Sequence, residues 1–173
     1  MDVENFVIVP YTVIIDTREQ SAYDFRNLKA DKKDGGGPLL IKTDRKALAT
    51  GDYSIEGLQN EVAIERKELG DFLHCVGTDR ERFKKQLARL QSLQYGAVMV
   101  EADWLRVLRG TPHSKLNPKS ISRSVIGWQM DDFPGVHWWF VSTKRQAEQF
   151  TFRILDRYYR KHGSGTNEQQ ADR

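Results

Sequence analysis

Short runs of β-branched and apolar residues recur along this chain: YTVIID (11–16), EVAIE (61–65), YGAVMVEA (95–102) and VHWWFVS (136–142). Each is too short for a buried helix and bounded by polar or turn-forming residues, so each reads as a strand. LLIKT (39–43) suits a further strand, and DYSIEG (52–57) alternates polar and apolar residues ahead of EVAIE, as a hairpin partner would. The stretches after EVAIE change period. ELGDFLHCV (68–76) places Leu69, Phe72, Leu73 and Val76 at helical spacing, and DRERFKKQLARLQSL (79–93) lines Phe83, Leu87 and Leu90 along one face. ADWLRVL suits a short helix. Asn117-Pro118 opens another over 118–132, with Pro118 suited to a first turn. TKRQAEQFTFRILDRYYRKHG (143–163) predicts a long helix with Ala147, Phe150, Ile154, Leu155 and Tyr158 on one face and Gly163 as its C-terminal cap. Early strands followed by alternating helices and strands predict an α/β domain: three layers, α/β/α, with a central mixed sheet.

The length of 173 residues suits one domain with one sizeable core. We expect that domain over 1–163, with a disordered tail over 164–173 where apolar periodicity is absent. Thr17–Pro38 is polar, contains KADKKDGGGP and predicts a long flexible loop. No apolar run approaches the roughly 20 residues of a membrane span, and the acidic N-terminus carries no secretion signal. A cytoplasmic setting follows as the expectation, or the host-cell cytoplasm for a viral chain. Cys75, the single cysteine, excludes an intramolecular disulfide and reads as a small core residue. His74, His113, His137 and His162 show no metal-ligand spacing, and GGG lacks the context of a phosphate-binding loop. The net charge of +3 permits a polyanionic partner without requiring one.

EVAIERKELGD (61–71) constrains function most. A strand there ends in three adjacent charges. Period-two alternation puts Glu65 and Lys67 on one face and Arg66 on the other. The hairpin partner brings Asp52 near them, Asp16 ends a central strand within reach, and Asp71 follows at the next helix start. Mg²⁺ favours hard oxygen ligands and keeps several waters, so two carboxylates and a substrate phosphate suffice to hold it. A neighbouring lysine can orient the attacking water or stabilise developing negative charge. The pattern suits metal-assisted hydrolysis of a phosphodiester, although an acid, a spacer and acid-x-lysine also describe ordinary surface charge.

IDTREQ (15–20), GDYSI (51–55), AIERKELGDF (63–72) and the basic helix from DRERFKKQLARL resemble, in order, the nuclease domain of the XPF-type structure-specific endonucleases, which include the archaeal fork nuclease Hef. The family pattern, GD, a spacer, ERK, three residues and D, is complete here from Gly51-Asp52 to Asp71. The resemblance runs from about Tyr11 to about Tyr159. It implies a restriction-endonuclease-like (PD-(D/E)XK) fold and Mg²⁺- or Mn²⁺-dependent DNA cleavage. It makes Asp52 and Glu65 metal ligands, with the Arg66 carbonyl as a third and Asp16 at the edge of the metal site. Lys67 becomes the water-orienting or charge-stabilising lysine and Asp71 a supporting residue, acting through Arg66 or Lys67. Arg18 and Glu19 would sit at the rim, and Arg82, Lys85 and Gln86 would contact DNA.

The tandem helix-hairpin-helix module of many family members has no counterpart in this sequence. Branched DNA such as a fork or flap is the expected partner, in repair, recombination or phage DNA processing. VHWWF and QFTFRILDRYY suit either core or the interface of a homodimer or heterodimer, and Trp128, Trp138 and Trp139 could stack on bases. The rivals are a non-catalytic DNA-binding or scaffold subunit and a sequence-specific restriction nuclease.

Overall fold

The strand-forming runs assemble into one six-stranded mixed sheet. The computed structural model describes residues 6–112 and 114–163, so the expected tail over 164–173 lies outside the described residues. The strands are β1 (Val7–Asp16), β2 (Leu39–Lys46), β3 (Tyr53–Ile55), β4 (Val62–Lys67), β5 (Tyr95–Val100) and β6 (Val136–Phe140). Their spatial order is β2-β1-β3-β4-β5-β6. β1 pairs parallel with β2, β3 pairs antiparallel with both β1 and β4, and β4, β5 and β6 run parallel. The expected hairpin is therefore β3–β4, with Tyr53 opposite Ile64. β1 begins earlier than its β-branched run suggests. Pro10 cannot donate to a ladder, and the β1–β2 register shifts between Ile8 and Thr12 around it.

The helices are α1 (Leu69–Val76), α2 (Arg80–Gln91), α3 (Trp104–Arg109), α4 (Pro118–Gly127) and α5 (Lys144–His162). Asn117 caps α4 by accepting from the Lys119 N–H, and Thr143 caps α5 by accepting from the Gln146 N–H. The helix expected over 118–132 stops at Gly127, and Trp128–Asp132 continues as a π turn.

Alternation along the parallel strands supplies both cores. Val62, Ile64, Ala97 and Met99 pack with α5 on one side; Ala63, Val98 and Val100 pack with α1, α2 and α4 on the other. Three expectations change. Thr17–Pro38 is not a flexible loop, because Tyr23, Phe25 and Leu28 are buried within it and Lys29 bridges Pro38. Tyr23 stacks on Tyr53 with ring centroids 4.8 Å apart, and the buried Glu148 of α5 accepts from the Phe25 N–H at 2.6 Å. The buried face of α5 is Ala147, Glu148, Thr151, Phe152, Leu155 and Tyr158, whereas Phe150 is exposed and Ile154 half-buried. Trp128 is fully buried against Phe83 and Trp138, which removes it as a base-stacking residue.

Candidate active site

Gly51 makes the approach to the site possible. Its φ of +74° lies in the left-handed region, and a Cβ there would fall 3.0 Å from Ala63 Cβ and 3.1 Å from the Ile64 carbonyl. The close contact lets the Asp52 N–H donate to the Ile64 carbonyl at 2.8 Å, while the Asp52 carbonyl accepts from the Asp16 N–H at 2.8 Å. Asp52 is thereby tied to β4 and β1 together. Its Oδ2 accepts from the Arg66 N–H at 2.7 Å. Glu65 is buried, and Lys67 Nζ donates to its Oε1. Burial and the neighbouring Glu65 carboxylate push Asp52 up to about 7. Burial opposes the Lys67 charge, but Glu65 outweighs it and holds the ammonium above its ordinary range.

Arg66 points to the opposite side of the sheet, as the alternation predicts. Its guanidinium, only 5% exposed, donates to Glu101 from Nε at 2.7 Å and Nη2 at 3.0 Å. It also reaches Glu68 at 2.7 Å and Glu19 at 3.3 Å. Glu19 is thus turned inward, accepting from Arg66 and the Ser21 N–H.

The Asp16 carboxylate is engaged by Arg18 and Leu48. Its Oδ1 accepts from Arg18 N and Nε, both at 2.7 Å, and its Oδ2 accepts from Arg18 Nη2 at 3.0 Å and Leu48 N at 2.7 Å. Four donors fill the four lone-pair positions of the carboxylate. Burial acts to raise this carboxyl, but the Arg18 and Leu48 bonds prevail and keep it below the ordinary range. Asp16 fixes Arg18, whose guanidinium feels the charges of Asp52 and Glu65.

Arg18, Asp52, Glu65, Arg82, Gln86 and Arg89 line a cavity of about 200 Å³. Arg82, Gln86 and Arg89 stand at i, i+4 and i+7 on α2, a single helical stripe. That spacing could have disclosed Arg89, which motif reading missed. Lys85 is exposed and stands apart from this wall. Asp71, exposed in the first turn of α1, joins Lys67 in an adjoining cavity of about 430 Å³ that shares Arg82 and Gln86 with the first. The acids paired with Arg66 are Glu19, Glu68 and Glu101. Cys75 is a core residue, its thiol pushed up to about 11 by burial. Glu101 and Tyr23 also escaped motif reading; their role emerges only from proximity to Arg66.

The family model described as the ERCC4 domain matches residues 15–154. The chain belongs to the ERCC4 domain family. The ERCC4 fold is shared with XPF from Aeropyrum pernix, at TM-score 0.61 and 18% identity over 92% of this chain and 70% of that one. The same archaeal XPF in complex with DNA aligns at TM-score 0.59 and 19% identity, covering 87% of this chain and 66% of that chain. No curated protein matches the sequence. The restriction-endonuclease-like α/β architecture is thus the one observed. No helix among the described residues is long and apolar enough to cross a membrane.

Proposed function

We propose that this ERCC4 domain is a divalent-metal-dependent DNA endonuclease, with Asp52 and Glu65 as its acidic metal ligands. The observation that carries the reading is the half-buried Asp52 carboxylate beside the buried Glu65 carboxylate in a cleft walled by Arg18, Arg82 and Arg89. Among the described residues, no donor reaches Asp52 Oδ1 or Glu65 Oε2. No three acidic, histidine or cysteine side chains converge there, so the protein offers a hard, two-carboxylate site. That donor set fits Mg²⁺ or Mn²⁺ completed by backbone carbonyl, water and substrate phosphate. Such an ion would polarise the scissile phosphate and acidify a water.

The chain's own residues divide the remaining work. Lys67, held on Glu65, presents its ammonium where negative charge grows. Arg18 is pre-positioned by Asp16 and by the Leu48 carbonyl, which accepts from Nη2 at 2.7 Å. Arg82 and Arg89 neutralise flanking phosphates and Gln86 donates hydrogen bonds to them. Contacts of this kind read backbone and shape rather than bases. The archaeal XPF structure holds DNA, which supports DNA as the substrate; we assign branched forms such as forks and flaps.

We also assign a second protein chain, identical or homologous, to the apolar depression of about 790 Å³ formed by Tyr95, Trp139, Phe150 and Ile154 beside the edge strand β6.

The test is cleavage of a labelled fork and its matching linear duplex in Mg²⁺ or Mn²⁺, comparing wild type with Glu65→Ala and Asp52→Asn. Wild type should cut, and both variants should bind DNA without cutting it. Intact duplex, flap, fork and single strands after incubation with wild type and either metal would sink the proposal. Binding without cleavage would then point to a scaffold subunit.

A further inference from the structure

We infer that Glu101 is a positioning residue for the carboxylate pair: it clamps the end of β4 so that the Arg66 N–H stays aimed at Asp52. The inference rests on the reading of that pair as a metal site. Glu101 is the first residue beyond β5, next to Val100, the register partner of Lys67. It holds two consecutive residues of β4. Its N–H donates to the Lys67 carbonyl at 2.9 Å, extending the parallel ladder past the end of both strands. Its carboxylate accepts from Arg66 Nε and Nη2 at 2.7 and 3.0 Å, a two-pronged pair with planar geometry. The Tyr23 hydroxyl donates to Glu101 Oε1 at 2.9 Å, and Tyr23 is itself fixed by its stack on Tyr53.

The clamp matters because β4 has no backbone partner on its other side at this point. The β3–β4 pairing has Tyr53 opposite Ile64, and the Arg66 N–H beyond it donates to the Asp52 carboxylate instead of a main-chain carbonyl. The direction of that N–H therefore sets the direction of Asp52. Lys67 ends β4, and the chain turns into α1 at Leu69, so the segment would fray without a grip from β5. Glu101 supplies that grip. The other acids on Arg66 hold it less firmly: the Glu68 side chain is 51% exposed, and Glu19 touches at 3.3 Å. Glu101 touches neither substrate nor metal in this scheme; it acts through Arg66.

The test uses the full chain and the variants Glu101→Gln, Glu101→Asp, Arg66→Met and Glu101→Gln/Arg66→Met. Mn²⁺ binding is titrated by electron paramagnetic resonance, and exchange of the Arg66 amide is followed by NMR in metal-free protein. Thermal unfolding reports whether each variant is folded. Glu101→Gln should weaken Mn²⁺ binding by about tenfold, as loss of a ligand-orienting partner does. It should speed Arg66 amide exchange while Val98 and Met99 stay protected. Cleavage should need more Mn²⁺ for half-maximal rate with the KM for DNA unchanged. Glu101→Asp, which keeps the charge but shortens its reach, should fall between the two. In the Arg66→Met background Glu101→Gln should add nothing, because the route through Arg66 is already cut.

A merely structural role would lower the active fraction and leave the Mn²⁺ midpoint in place. The inference is overturned by wild-type Mn²⁺ affinity and Arg66 exchange in a folded Glu101→Gln, by additive effects in the double variant, or by failure of both Glu101 variants to fold. If wild type itself binds no Mn²⁺, the metal-site reading fails and takes this inference with it. That outcome is distinct from wild type binding while Glu101→Gln binds equally well.

Discussion

Burial and the adjacent Glu65 carboxylate move the Asp52 carboxyl from an ordinary 3.8 to about 7 in the folded, metal-free chain. Raised in the fold, this group stabilises the protein below its unfolded pKa, and that stability is lost as pH rises through about 7. Asp16 is shifted the other way, so its stabilising contribution disappears only in acid, below the ordinary carboxylate range. The two windows do not overlap. In EDTA, Asp52→Asn should raise stability by on the order of 1–2 kcal/mol at pH 8 and by almost nothing at pH 4. Thermal unfolding of both proteins at the two pH values checks this; a difference that ignores pH would refute it. Gly51 is the second residue with a defined sensitivity. Gly51→Ala meets both the positive φ and the wall of β4, and should cost about 1–3 kcal/mol. Because it displaces Asp52, it should also lower the cleavage rate far more than a surface Gly57→Ala, where no atom lies within 4 Å of the added Cβ.

At the scale of elements, α2 presents one stripe to the cleft and another to the core. Phe83, Leu87 and Leu90 are buried, while Arg82, Gln86 and Arg89 face the carboxylates. Arg89→Ala should weaken DNA binding and lower the salt dependence by about one phosphate contact. Lys85→Ala should change neither. Fluorescence anisotropy at several salt concentrations, in Ca²⁺ to block cleavage, separates them. The segment after β1 behaves as part of the core despite its polar composition. Phe25 is 2% exposed, with its ring edge-on to Tyr53 at 5.8 Å. Phe25→Ala should destabilise the chain by about 3–5 kcal/mol in urea titration. A value near zero would restore the flexible loop.

At the scale of the molecule, the sheet separates two kinds of surface. The cleft lies by α1 and α2. The apolar depression lies by α5, where Phe150 is 38% exposed and packs edge-on to Trp139 at 5.6 Å. If a second copy covers that depression, Phe150→Glu should yield a monomer in sedimentation velocity with thermal stability within about 0.5 kcal/mol of wild type, as for a surface change. A wild-type chain that already sediments as a monomer would leave a different subunit as the partner.

The strands, the main helices and the Asp52–Glu65–Lys67 cluster were legible in the sequence, because each follows from short-range rules. Period two separates Glu65 and Lys67 from Arg66, period 3.6 separates the faces of α2, and a Gly-Asp pair beside a strand marks a close approach. Nothing local says that the lone pairs of Asp16 are filled from Arg18 and from Leu48, thirty-two residues away. Thr17–Pro38 was misread as mobile because its three anchors are spaced irregularly, and the contacts of Tyr23 and Phe25 with β3 and α5 come from residues far along the chain. Glu101 carries no motif at all. Its meaning arises only when parallel pairing lays the end of β5 beside the end of β4, so that a carboxylate meets a guanidinium turned away from the cleft. Local periodicity determined what each segment becomes; tertiary pairing alone decided which charges meet, since hydrogen bonds and ion pairs act over a few ångströms whatever the separation along the chain.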